Sequence, residues 1–162
     1  MSLFKSLNEP STILSKIKKL YKYNKYKIKG CNRKQIIDAQ KALDIVFPQE
    51  FVHYVMDFGR ISFQGVEWNG LNVESKYNVV DATLKQKAKL KDNFPQDCFV
   101  LENNSTLATF SPTIVDKKGI VYILHRSFNG FKKKKIANSI PEYLIICINS
   151  SVASTAIISM NI

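Results

Sequence analysis

A chain of 162 residues and 18.5 kDa has the size of one ordinary domain and can bury most of its apolar surface in a single core. With 45% hydrophobic residues, 11% aromatic residues and only 6 Gly and 5 Pro, the composition excludes a disordered or linker-rich polypeptide. The net charge of +11 favours anionic partners, whether acidic protein, nucleic acid or anionic lipid, and says nothing about fold.

Residues 1–34 hold ten Lys or Arg against Glu9 alone, a net +9, whereas residues 35–162 hold fourteen against twelve acids, a net +2. The basicity is thus expected to be a local, N-terminal property. In that region Ile13, Leu14, Ile17, Leu20 and Tyr21 fall on one helical stripe, with Lys18, Lys22 and Lys25 on the opposite side, which predicts a basic amphipathic helix over 11–26. Met1–Leu14 lacks the unbroken apolar run and small-residue cleavage site of a secretion signal.

Gly30 provides a turn, and Asn32 caps a second helix to Leu43 that carries Ile36, Ile37, Ala39 and Leu43 inward. Pro48 suits the start of a short helix in which Phe51, Val52, Val55 and Met56 are apolar, stopped by Gly59. Then the period changes. Ile61–Phe63 alternates like a strand, Gly65 and Gly70 punctuate, and Asn78–Lys91 reads as a polar helix with Ala82, Leu84, Ala88 and Leu90. Cys98–Glu102 and Ser105–Phe110 read as two strands joined at Asn103-Asn104, residues that tolerate a left-handed turn. A turn at Asp116–Gly119 leads into the strand Ile120–His125, and Phe131–Ile136 pairs with it. Ser139 and Glu142 have capping-box spacing and open a helix through Cys147. Polar residues from Asn149 to Thr155 interrupt the apolar stretch Leu144–Ile162, so a core helix plus tail is expected there and no membrane span. The order predicts a single α+β domain, a mainly antiparallel twisted sheet over Ile61–Ile136 with the helices packed on one face.

No catalytic residue is assigned. His53 and His125 are isolated, and no phosphate loop, HExxH pattern or carboxylate pair is visible. Cys31, Cys98 and Cys147 are odd in number and far apart, which predicts reduced, buried thiols, no metal site and no cofactor. Lys132–Lys135 beside Phe128 and Phe131 have the makings of a basic surface with aromatics, with Lys132 and Lys134 among candidate partner-binding residues and nucleic acid a possible ligand. The lone Trp68 has two readings, a partner-facing anchor or a ring packed beneath its loop.

Several segments, taken in order, resemble the SUKH superfamily, which includes the yeast cell wall assembly regulator and many bacterial immunity proteins. Phe47–Gly59 resembles its Leu-Pro helix ending in Phe-Gly, and Ile61–Leu71 the strand and glycine loop that follow. Asn78–Val80, Cys98–Glu102, Gly119–Tyr122 and Ala137–Leu144 resemble the remaining motifs, so the likeness spans Ile36–Ile148. Charge and periodicity together with the resemblance give a basic N-terminal helix and connection (1–35), expected to form one domain with a SUKH-like α+β unit (36–150), followed by a tail (151–162). The resemblance implies a cytoplasmic, non-catalytic antitoxin that binds a cognate toxin domain without a cofactor, or else a regulatory protein-binding module of the same fold. Lys18, Lys22, Lys25, Trp68, Lys132 and Lys134 are the candidate interface. Members are often acidic and face basic nucleases, so this basic chain points to an acidic toxin surface.

Overall fold

The computed structural model describes residues 29–63, 66–103, 105–106 and 109–160. The basic helix predicted over 11–26 lies outside them. α1 (Arg33–Leu43) starts as its cap predicts: Gln35 N–H donates to Asn32 Oδ1 and Asn32 N–H donates to Gln35 Oε1, both at 2.9 Å. It buries Ile36, Ala39 and Leu43, but Ile37 is 49% exposed, because one residue beyond Ile36 the chain has turned about 100° off the stripe. α2 (Gln49–Phe58) follows Pro48 and ends at Gly59, whose φ of 70° only glycine adopts freely. Its inward face is Phe51, Tyr54, Val55 and Phe58, with Tyr54 buried where the apolar pattern favoured the exposed Met56.

Two short strands, β1 (Ser62–Phe63) and β2 (Val66–Glu67), form a small hairpin. After a 3₁₀ turn comes α3 (Val79–Leu90), started by Asn78, whose side chain accepts the Val80 N–H at 2.8 Å. Thr83 is buried on it and Leu84 exposed. The main sheet contains β3 (Cys98–Glu102), β6 (Thr113–Asp116), β7 (Val121–Ser127) and β8 (Gly130–Ala137), antiparallel and in that order. The predicted turn at Asn103-Asn104 therefore does not join β3 to its neighbour. β3 pairs with β6, while β4 (Ser105–Thr106) and β5 (Thr109–Phe110) make a separate two-stranded hairpin. β6 escaped the sequence pattern because all four of its residues are buried, so no alternation marks it.

The expectation of helices on one face also needs correction. One face of the sheet carries Phe99, Leu101, Val115, Val121 and Ala137 and packs with residues of α1, α2 and α4 (Ile140–Met160). The other carries Cys98, Val100, Ile114 and Leu124 and packs with Ala82 and Leu90 of α3 and with Phe94. The architecture is a single α+β domain whose four-stranded sheet lies between helices. At the start of α4 the Glu142 N–H donates to Ser139 Oγ (3.2 Å), and Glu142 reaches back to the Asn138 N–H (2.8 Å), one residue before the cap. The helix runs on through Met160, beyond the Cys147 limit expected from sequence. No helix among the described residues is long and apolar enough to cross a membrane.

Candidate functional site: the basic β7–β8 ribbon

β7 and β8 run seven and eight residues, whereas β6 has only four, so the hairpin outreaches its neighbour. β6 pairs with β7 as far as Thr113↔Ile123, and the Leu124 N–H still donates to Pro112 O at 3.0 Å. Beyond that, His125↔Lys132, Arg126↔Phe131 and Ser127↔Gly130 continue as a two-stranded ribbon. The turn is Phe128-Asn129, followed by Gly130 at φ 116°, a conformation a side chain resists. Phe128 at its tip is fully exposed.

Alternation along the strands distributes the charge. Tyr122, Leu124 and Arg126 share the α3 side with their partners Lys135, Lys133 and Phe131; Ile123 and His125 share the opposite side with Lys134 and Lys132. All four lysines are exposed. Lys133 Nζ sits 4.5 Å from the Tyr122 ring centroid, and Lys135 Nζ donates to Asn138 Oδ1 at 3.0 Å. No acid lies between Asp116 and Glu142, a segment with Lys117, Lys118, Arg126 and Lys132–Lys135. The basicity is therefore not confined to the N-terminus. A subtotal near zero over 35–162 concealed a cationic ribbon balanced by acids elsewhere.

Of the candidate residues, Lys132 and Lys134 come together on one face of this ribbon, and Lys18, Lys22 and Lys25 lie outside the described residues. Phe128, Arg126, Lys133 and Lys135 complete the surface; the acid-free run in the sequence was the signal for it. His53 is exposed on α2, and His125 Nδ1 is 3.3 Å from Arg126 O within the ribbon. Cys31 and Cys98 are buried as expected and Cys147 is partly so; burial pushes the Cys98 thiol up to about 12 and the Cys147 thiol to about 11, which leaves neither as a thiolate nucleophile. No group of three or more His, Cys, Asp or Glu among the described residues is placed to hold a metal ion.

Trp68 is not on the surface. It is 0% exposed, stacked on Tyr143 (5.8 Å, 6° between planes) and edge-on to Tyr54 (5.4 Å, 84°), so it packs beneath its loop rather than anchoring a partner. Its neighbours form a polar seam: Tyr143 OH donates to Glu102 Oε2 at 2.6 Å, and Thr113 Oγ1 lies 3.4 Å from the same hydroxyl. Asn69 Nδ2 donates to Val100 O (3.2 Å), while Tyr54 OH donates to Asn69 O (3.1 Å) and accepts the Ile61 N–H (2.9 Å). These bonds stitch the Ile61–Leu71 loop to β3 through Asn69 and to α2 through Tyr54. Between α1 and α3 a shallow groove carries Asp38 and Asp81, already engaged by Lys34 and by the Ser75 hydroxyl.

Burial raises the Glu102 carboxyl above its ordinary value of 4.5, opposed in part by donors from Tyr143 and the Glu67 backbone. A carboxyl raised in the folded state contributes stability that is full below 4.5 and lost as pH rises through its folded pKa. Glu102→Gln keeps an acceptor for Tyr143 and cannot ionise. Its stability relative to the parent is therefore expected to grow as pH rises from about 4 towards about 8, read from urea midpoints across that range. A pH-independent difference would contradict the assignment.

The fold class is α+β, one domain, with its sheet covered on both faces and a cationic β7–β8 ribbon that outreaches β6. The chain belongs to the SUKH family: the family model SUKH_5, described as SMI1-KNR4 cell-wall, matches residues 11–149. The match takes in the segment before Ile36, where the resemblance read from the sequence began. No curated protein matches the chain.

Proposed function

We propose that this chain is a non-catalytic immunity protein, acting in the cytoplasm, that binds and neutralises a cognate polymorphic toxin domain. Membership of the SUKH family over residues 11–149 carries the reading. The pushed-up Cys98 and Cys147 thiols agree with binding rather than with thiolate chemistry. Lys18, Lys22 and Lys25 serve here as a steering face for an acidic toxin, whose association slows as salt screens the charges. A regulatory protein-binding role is the second reading, favoured by the cell-wall description of the family model.

The test is a search of the adjacent genes for a polymorphic toxin with a variable C-terminal domain, followed by co-expression of this chain with that domain. Growth is expected to be restored by the parent and, to within a few-fold, by the double variant His53→Gln, His125→Gln. A toxin that kills despite abundant folded protein overturns the immunity reading; loss of protection in the folded double variant overturns the non-catalytic one.

A further inference from the structure

We propose that the outer edge of β8 is a docking site for an extended, acidic segment of a partner protein, which adds to the main sheet as a fifth strand. The inference rests on the protein-binding reading above and specifies the surface and the chemistry of the partner. β8 closes the sheet order β3-β6-β7-β8, and among the described residues β7 is its sole neighbour. Its eight residues are enough for a full strand-to-strand ladder.

Lys132 to Lys135 alternate across both faces of that edge, all exposed, and none makes an ion pair among the described residues. A strand laid along β8 therefore meets cations above and below the sheet, and acidic residues at successive positions find opposite-charge neighbours on both faces. The same lysines repel a second copy of β8, since like charges would face each other across the new ladder. The edge is guarded against its own kind and open to a strand of opposite charge. Phe128, fully exposed at the end of the ribbon, supplies an apolar contact at one end of the ladder.

A protein strand fits better than nucleic acid. The cations point to two opposite sides instead of lining one groove. Phe131 is packed into the core and the Tyr122 ring is covered by Lys133, which leaves Phe128 as the exposed ring of this ribbon rather than one of a stacking row. An added strand also uses the backbone of the edge, which a phosphate chain does not.

The experiment uses the full chain and labelled peptides of about ten residues in which Glu-Glu pairs alternate with Thr-Thr pairs, so that acids lie on both faces of the strand, read by fluorescence anisotropy. The acidic peptide is expected to bind in a salt-sensitive way, and a version with Pro at two internal positions, equal in charge but unable to complete a ladder, at least about tenfold more weakly. Reversing Lys132, Lys133, Lys134 and Lys135 to Glu should weaken the acidic peptide at least about tenfold and create binding of a Lys–Thr peptide. Should the reversed variant fail to fold by circular dichroism, the four Lys→Gln changes take its place, with loss of the acidic peptide as the readout. Lys18, Lys22 and Lys25 changed to Gln should leave the Pro-peptide discrimination intact.

Absence of acidic-peptide binding, equal binding of the Pro peptide, unchanged binding after the lysines are replaced, or tenfold tighter binding of a single-stranded oligonucleotide of about 20 nucleotides each overturns the proposal. The two readings fail separately. Protection from the toxin that survives replacement of all four lysines removes the edge and leaves immunity standing, whereas peptide binding without protection does the reverse.

Discussion

Gly70→Ala is expected to destabilise the chain severely. A Cβ at position 70 would lie 1.7 Å from Gly59 O, 2.7 Å from Gly59 C and 3.1 Å from Arg60 Cα, all of them backbone atoms that cannot rotate away. Nor can the two segments part cheaply. The Leu71 N–H donates to Gly59 O, the Gly70 N–H to Tyr77 O and the Val79 N–H to Gly70 O, each at 2.9 Å. Gly59 is itself held from behind, for a Cβ there would stand 2.3 Å from Lys29 O, and one on Gly30 would stand 1.8 Å from Met56 O. Three backbone segments are thus stacked at a spacing that only glycine permits. The cost is expected to exceed about 4 kcal/mol, the exceptional tail of single substitutions, and to consume much of a total stability of about 5–15 kcal/mol. Gly119→Ala is the comparison. It carries φ 85°, but its Cβ would meet the movable end of Glu50 at 3.2 Å, so its loss should stay near about 1–2 kcal/mol. Urea denaturation of both variants decides the matter, and a Gly70→Ala midpoint close to that of the parent would refute the packing described.

Trp68→Ala is expected to cost about 3–5 kcal/mol, since it empties the largest fully buried side-chain site in the described core. Both aromatic partners, Tyr54 and Tyr143, would lose a ring face, and the Trp68↔Glu102 bridge that ties the β1–β2 hairpin to β3 would lie over a cavity. Trp68→Phe should cost less than half as much. The indole N–H is buried without a hydrogen-bond partner among the described residues, so removing it breaks no bond among them and relieves an unsatisfied donor. Once folded, the Phe variant should bind its partner within about twofold of the parent, because a side chain with no exposed surface contributes nothing directly to an interface. Thermal unfolding measures the first effect and partner titration the second. A Phe variant that is stable yet binds at least tenfold more weakly would return Trp68 to the interface.

Local chemistry made much of this molecule readable as a string. Asn32 with Gln35, Pro48 with Gly59, Asn78, and Ser139 with Glu142 mark helix ends because capping is settled within a few residues of the chain. Asp116–Gly119 is readable as a turn for the same reason: Asp116 Oδ1 accepts the N–H groups of Lys118 (2.9 Å) and Ile120 (3.1 Å), and Gly119 takes φ 85°. The order of motifs was enough to point to the SUKH family.

What escaped the string depends on contacts between distant residues. β6 shows no period because it is covered from both sides, and the partner of β3 is chosen by that burial rather than by the nearest turn-forming pair. Trp68 is consistent from sequence with an anchor or a core ring; Tyr54 and Tyr143, at sequence separations no helical or strand period connects, enclose it. The ribbon is the clearest case. Four consecutive lysines are legible to anyone, but their meaning depends on β8 lying at the edge of the sheet and on β6 stopping short, and both are properties of strand order, which pairing across the whole domain sets and no local pattern records.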